Sequence, residues 1–440
     1  MRIAFFVHRF PEISETFIAR QIVGLSDLGH QVDIYSERSP LEQSLQPEID
    51  RYRLRERTTY LDMQMPVATG YWSMPAWPVW GKTWLPGADN PLRNWRRLLA
   101  SLPTFLANTA AAPRLSLDVV RSALYSQEAL TLEALYRLAI LRRVIIRYNV
   151  IHAHFGPVAK NLRFARKLWG VPMIATFHGY DYCAIPRTHG LNTYMHLFDE
   201  VDAITIHSEY GRKRLLALNC PPEKLRHLSV GLDPNEFSFR PRIVGDHESV
   251  RILTVARLVE IKGVRYAIEA IAKLKFAGHR VQYDIIGDGP ERSSLETQIK
   301  QLGLCDTVHL HGARGSLYVS EAMAQSHIFL LPSINLHGDE EGTPVSLMEA
   351  QASGMPVLAS RTGGIPEVVR EGCSGLLFPE RDTDAIADKM IYLLGHRGQW
   401  AQMGACGRAH VLENFDLHKL SRQLVSIYQQ LIEASRGLPS

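Results

Sequence analysis

The sequence predicts an α/β protein of more than one domain. Three observations carry this. At 440 residues the chain has two- or three-domain length and can bury sizeable cores. Its opening reads strand, loop, helix, strand, the start of a Rossmann-like unit. Strand–helix alternation then resumes at Arg251 and runs on through GLLF at 375–378.

Taken in order, Arg2–Val7 is an apolar run of strand length, a helix follows to Leu28, Gly29 ends it, and Gln31–Tyr35 is the next strand. The loop between, HRFPEISET, lies at a strand's carboxyl end, where ligands bind in such sheets. Its Ser14-Glu15-Thr16 cluster reads either as a ligand contact through hydroxyls and helix amides, or as a plain helix cap with Ser14 as N-cap.

Residues 61–90 break the pattern, with Trp72, Trp77, Trp80 and Trp84 among prolines and glycines. Pro91–Tyr148 is helical in pattern. It carries Arg93, Arg96, Arg97, Arg114, Arg121, Arg137, Arg142, Arg143 and Arg147 against Asp118, Glu128 and Glu133, with no lysine. Tryptophan beside arginine suits an anionic membrane surface, and the stretch then admits a lipid-linked acceptor. The alternative is a Trp-rich loop packed on the domain, with arginines on a solvated face.

Val150–His154 is a strand that puts His152 and His154 on one face. Without a matching third ligand they read as core or cleft histidines rather than a metal pair. Val171–Thr176 is the next strand and ends in FHGYD, so His178 and Gly179 stand at a strand's carboxyl end, with Asp181 in the same loop, where it could meet acceptor or sugar hydroxyls. Asp202–His207 leads through Ser208 into a further helix. A linker falls at about 231–248, where Pro234, Pro241, Gly245 and Asp246 cluster.

Beyond it, the strand Arg251–Ala256 ends at Arg257, with Lys262 five residues on. A guanidinium and an ammonium there suit two phosphates. Val281–Ile286 runs into GDGP, a tight turn at Gly287. No GxGxxG followed by a ribose-binding acid is present, which speaks against NAD. Helices are expected at Asp382–Leu394, Gln399–Glu413 and Phe415–Glu433.

The most informative stretch is Leu331–Glu367. Pro344 suits the first turn of a helix, Val345, Leu347 and Met348 can face a core, and Glu341 stands at the helix mouth with Glu349 two turns down. Free amides from Gly342, Thr343 and Val345 make a place for an anion. Two carboxylates beside an anion site make sense if they bind hydroxyls of a sugar nucleotide while the amides hold its phosphates. His337, Asp339 and Glu340 crowd the preceding loop, as hydroxyl readers or as solvated residues.

Composition narrows the classes. A net charge of +4 is too weak to argue for nucleic acid. Five cysteines without CxxC spacing read as a reducing cytoplasm and no zinc site. MRIAFFVHRF reads as a first strand rather than a signal peptide, and no apolar run is long enough to span a membrane.

The paired glutamates Glu341 and Glu349, the block SLMEAQASGMPVLASRTGGIPEVV, the TFHG turn, Arg257 and Lys262, and GDGP together resemble the family-4 retaining GT-B glycosyltransferases. FPEISETFI and HGDEEGTPVSLMEA are similar to bacterial members of the colanic-acid type, which make exopolysaccharide. The resemblance implies a GT-B fold, two Rossmann-like domains facing across a cleft. Residues 1–235 would form the acceptor-side domain, with the Trp/Arg-rich insertion at 61–148. Residues 236–415 would bind the nucleotide sugar, and the helix at 416–440 would cross back.

It also implies the roles. Glu341, His178, Lys262 and Arg257 would be catalytic. Glu349, Gly342, Thr343, Pro344, Val345, Gly287, Ser14 and Thr16 would bind the donor, and Asp181 and Glu15 would face the acceptor. No metal and no cofactor are implied. The substrate would be a UDP- or GDP-sugar, and the acceptor a glycan on polyprenyl diphosphate. The enzyme would be cytoplasmic, with peripheral contact to an anionic membrane. A GT-B nucleotide-sugar 2-epimerase and a non-catalytic partner subunit share the fold and remain the alternatives.

Overall fold

The computed structural model describes residues 1–12, 15–40, 47–62, 103–117, 133–245 and 248–437. Ser14, Trp72, Trp77, Trp80, Trp84, Arg93, Arg96, Arg97 and Arg121 lie outside them, so the readings placed there stay where the sequence left them.

Two parallel sheets organise the chain. The first has seven strands: β1 (Arg2–Arg9), β2 (Gln31–Arg38), β3 (Thr58–Tyr60), β4 (Val150–His154), β5 (Met173–Phe177), β6 (Ala203–Ile206) and β7 (Leu225–His227). Their order is β3-β2-β1-β4-β5-β6-β7, so the switch point lies between β1 and β4. The second has β8 (Val250–Val255), β9 (Val281–Ile286), β10 (Val308–Leu310), β11 (Ile328–Leu331), β12 (Val357–Ser360) and β13 (Gly375–Phe378), in the order β10-β9-β8-β11-β12-β13. Central strands are apolar on both faces because helices cover both; β4, β5 and β11 are buried at every position. The strands β3 and β7 went unread because each is three residues long and at an edge.

Caps fix several helix starts. Ser208 Oγ accepts from Gly211 N at 3.1 Å, Asp382 Oδ1 from Ala385 N at 2.8 Å, and Asp416 Oδ1 from Lys419 N at 2.9 Å. Pro344 is a cap rather than a first-turn residue: the helix runs Val345–Ala352, with Pro344 extended before it at φ −73°, ψ 111°.

The final helix, Leu417–Arg436, packs on the first domain. Its Leu424, Ile427 and Tyr428 share one cluster with Ile3, Phe5, Ile18 and Ile22. Against the helix Thr16–Asp27 the approach is so close that a Cβ on Gly24 would meet Ser421 Oγ at 2.2 Å. Where this segment leaves the second domain, Leu232 and Asp416 pair as a parallel bridge, so both crossings between domains lie side by side.

Within 61–148 the described residues 103–111, 113–117 and Glu133–Leu141 are helical. Arg137 is not on a solvated or lipid-facing surface. It is 2% exposed, with Nη1 2.9 Å from Glu37 Oε1. Burial opposes charge on Glu37, yet Arg137, His8 and Asn161 together hold its carboxyl down at about 2.

The cysteines depart from the reducing-compartment reading. Cys373 and Cys406 form a disulfide with Cα atoms 5.9 Å apart, while Cys183, Cys220 and Cys305 are free. Spacing alone could not show this, because the two lie 33 residues apart. In guanidinium without reductant, thiol titration is expected to count those three free groups rather than all five cysteines. A closed loop of this size is worth about 3–4 kcal/mol, so reduction should also lower the thermal midpoint. Five titratable thiols in freshly purified protein would remove the cross-link from the account.

Candidate active site

Glu341 follows the polar loop after β11, and Lys262 sits in the turn Glu260–Lys262 after β8. Two features bring the turn to the strand end. Ile334 N donates to Ile261 O at 2.8 Å, and Gly263, at φ +61°, comes so close that a Cβ would lie 2.0 Å from Pro332 O. Lys262 Nζ then donates to Glu341 Oε1, which also accepts from Ser333 Oγ at 2.9 Å. Burial alone would push the Glu341 carboxyl up; the Lys262 ammonium, with Ser333 and Arg257, holds it below its ordinary value. Arg257 is exposed at the exit of β8.

The amides of Gly342 and Thr343 have no hydrogen-bond partner among the described residues. Pro344 and Val345 continue the segment into the helix that carries Glu349. The TGG turn is packed under this segment: Gly364 N donates to Glu341 O at 2.9 Å, and a Cβ on Gly364 would lie 1.9 Å from Gly342 O. Glu340 is a loop staple rather than a hydroxyl reader. Its Oε2 accepts from Gly363 N at 2.8 Å and its Oε1 from Asn335 Nδ2. Asp339 is buried, which pushes its carboxyl up to about 6.

Gly287 serves its own chain first. At φ +145° it donates its N–H to Gly312 O at 2.9 Å, and a Cβ would lie 1.8 Å from Ala256 O. It therefore lets β9 exit hard against the residue before Arg257.

The first domain contributes the His178 turn. Gly342 faces it: a Cβ there would be 3.1 Å from His178 O and 3.2 Å from Tyr182 Oη. The turn thus presents its backbone carbonyl to the Glu341 segment, while the His178 ring lies between Phe17 and Phe155, 4.7 and 4.5 Å away. Its Nδ1 is 3.0 Å from His207 Nε2 and its Nε2 3.0 Å from His154 Nδ1. His207 Nδ1 must donate to Leu228 O at 2.7 Å, since a carbonyl only accepts. With neutral rings, His178 Nδ1 then donates to His207, and His154 Nδ1 to His178. His154 Nε2 is left as an acceptor, turned toward a cavity of about 20 Å³ shared with Gln21 and Ser421, room for one water.

Burial lowers all three rings, His207 to about 4 and the others well below 6.5. Nitrogen NMR at about pH 6 should therefore show three neutral Nδ1–H tautomers, where free histidine is largely protonated. An imidazolium at any of the three would overturn this ordering. His152 is separate, its nitrogens bonded to Tyr428 Oη and Thr176 Oγ1 at 2.5 Å each.

Asp181 is turned toward backbone amides. It lies in the first turn of the helix Tyr180–His189, fully buried, and accepts from Gly156 N at 3.1 Å, His178 N at 2.9 Å and Gly179 N at 3.0 Å. Glu15 stands at the N-cap of the helix Thr16–Asp27. Burial and the nearby Glu12 push its carboxyl up to about 8 against the pull of Arg257 and Arg9. Its Oε2 has no partner among the described residues. Thr16 opens the neighbouring helix.

Three residues here escaped the sequence. Glu367 bridges the domains, accepting from Glu209 N at 2.8 Å and Tyr210 N at 3.0 Å. Arg187 of the first domain donates to His337 O of the second. Arg20 donates from Nη1 to Glu349 Oε1 at 2.8 Å. Of these, only Glu367 lay inside a stretch the sequence singled out, SLMEAQASGMPVLASRTGGIPEVV, and nothing there marked it as a partner of the first domain.

Comparison with known proteins identifies the family and the fold. Residues 236–410 match the family model for glycosyl transferases group 1, and residues 103–236 match that for glycosyltransferase family 4. The chain is 32% identical over 439 residues to the amylovoran biosynthesis glycosyltransferase AmsK of Erwinia amylovora, covering 98% of this chain and 100% of that one. It is equally 32% identical over 436 residues to the putative colanic acid biosynthesis glycosyltransferase WcaL of Escherichia coli, with 98% and 100% covered. Among solved structures, Anabaena Alr3699/HepE in complex with UDP superposes with a TM-score of 0.68 at 16% identity, over 98% of this chain and all of that one. Two parallel Rossmann-like sheets with the paired glutamates between them, and relatives matched end to end, place the chain in the group 1, family-4 glycosyltransferases of GT-B fold.

Proposed function

We propose that the protein transfers a sugar, with retention of configuration, from a UDP- or GDP-sugar to a glycan acceptor carried on polyprenyl diphosphate, in exopolysaccharide or O-antigen assembly. The observation that carries this is the Lys262–Glu341 pair with Arg257 and the Gly342 and Thr343 amides at one place, beside Glu349. Arg257, Lys262 and the amides neutralise the donor diphosphate, so the leaving group is stabilised by fixed charge without a metal. Glu349 accepts from ribose hydroxyls. Glu341 orients the sugar hydroxyls. The donor's C1–O bond breaks, the acceptor oxygen bonds C1 on the same face, and the acceptor proton passes to the departing phosphate oxygen. A double displacement through Glu341 is the variant of this chemistry.

The pathway rests on the relatives named for amylovoran and colanic acid synthesis. Their end-to-end match favours transfer over epimerisation. Among the described residues no helix is long and apolar enough to cross a membrane. Work at the cytoplasmic membrane face, through the tryptophans of 61–148 and its arginines other than the buried Arg137, is the part of the proposal that supplies a lipid-linked acceptor.

The test is a donor screen. Purified protein is given UDP-, GDP- and ADP-sugars with and without membrane lipid extract, and nucleoside diphosphate release is followed. Release that depends on extract supports the proposal and names the donor. Saturable nucleotide-sugar binding with no release under any condition would favour a non-catalytic subunit.

A further inference from the structure

Arg20 is a cation in the buried face of its helix. It lies on the helix Thr16–Asp27 among Ile18, Ala19, Ile22 and Val23 and is 6% exposed. Such a charge persists in a core only when paired. Its Nη1 donates to Glu349 Oε1 at 2.8 Å, its Nη2 to Glu236 Oε2 at 3.3 Å, and the guanidinium lies 5.9 Å from the centre of the Phe237 ring.

The partners differ in kind. Glu349 belongs to the second domain's helix Val345–Ala352. Glu236 closes the turn Pro234–Glu236 in the crossing between domains. That turn is itself pinned to the helix end by Arg408, which donates to Pro234 O at 2.6 Å, Phe237 O at 3.1 Å and Ala352 O at 2.8 Å. One side chain of the first domain therefore holds the hinge and a donor-site carboxylate of the second together.

A buried ion pair of this sort is rarely the most stable way to fill the space; what it fixes is geometry. Here it fixes one oxygen of Glu349. The other, Oε2, makes no hydrogen bond among the described residues. We infer that Arg20 is a positioning residue for donor recognition: it holds Oε1 of Glu349 so that Oε2 accepts from the nucleotide ribose, and it ties that recognition to closure of the two domains. This rests on reading Glu349 as the ribose acceptor.

The experiment is calorimetric titration of the full chain with UDP and GDP, with dUDP and dGDP, and with pyrophosphate. Wild type is expected to prefer the ribose form by roughly tenfold or more, as for a hydrogen bond to a charged group. Arg20→Met should erase most of that preference while leaving pyrophosphate affinity within about twofold. Arg20→Lys restores the charge but cannot span both carboxylates, and should recover only part of it. A merely structural arginine would weaken all these ligands alike.

The failures separate. No binding of either diphosphate by wild type, or an undiminished ribose preference in Glu349→Ala, would defeat the donor-site reading itself. Loss of the preference in Glu349→Ala with full retention in Arg20→Met would overturn the role of Arg20 alone. Should Arg20→Met fail to fold, Arg20→Lys decides: an unchanged preference overturns the inference, and a reduced one supports it.

Discussion

Lys262→Ala and Glu341→Ala are each expected to lower turnover by roughly 100-fold or more, about 3 kcal/mol of barrier. The two losses should differ in form. Lys262 and Glu341 are a mostly buried pair, with side chains 16% and 11% exposed. Removing the ammonium takes one cation from the diphosphate and also leaves the Glu341 carboxylate without the charge that keeps its pKa low. Both donor KM and kcat should suffer. Removing the carboxylate frees the ammonium for phosphate, so Glu341→Ala should lower kcat with donor KM unchanged or improved. Glu341→Gln keeps an acceptor for Ser333 but not the charge and should resemble alanine. Because breaking such a pair costs stability as well, about 3–5 kcal/mol, circular dichroism at the assay temperature must accompany the rates. Near-normal turnover in both alanine variants would overturn the site.

What the sequence made legible was local. Glu341 and Glu349 share one short segment, their amides and Pro344 sit between them, and strand–helix alternation frames the segment. Both sheets and the Lys262–Glu341 juxtaposition follow from knowing that strand ends of a parallel sheet gather on one edge. What stayed hidden depends on pairs far apart in sequence. Arg20 meets Glu349 across 329 positions, and Arg187 meets His337 across 150. Neither arginine has a periodicity or a neighbour that sets it apart from a surface charge. The disulfide was hidden for the same reason, and so was the burial of Arg137, which reads as one more positive charge on a basic helix. Asp181 shows a subtler limit. The sequence places it just past a strand's carboxyl end, in what proves to be the first turn of a helix, but type and place do not say whether a carboxylate turns toward ligand or toward backbone amides.

Asp181 turns toward its backbone, and Asp181→Ala is therefore expected to unfold the protein more easily, by about 3–5 kcal/mol. The carboxylate gathers the N–H groups of Gly156, His178 and Gly179, which begin the turns after β4 and β5. Alanine would leave three donors in a site with no exposure, each costing about 1–3 kcal/mol. The strain beside them sharpens the case. Phe155, next to Gly156, sits at φ +73°, ψ 135°, an uncommon backbone state for a bulky residue that persists only where its surroundings enforce it. The bond from Gly156 N to Asp181 is one such enforcement, and Phe155 in turn packs on the His178 ring. Asp181→Asn retains one carbonyl for His178 and Gly179 and turns an NH₂ toward Gly156, so it should cost less, about 1–2 kcal/mol. Urea unfolding reads both directly, with a lower midpoint at unchanged slope. An acceptor-facing carboxylate predicts the reverse, with both variants as stable as wild type and a raised KM for the acceptor alone. Wild-type stability in Asp181→Ala would return the residue to the acceptor side.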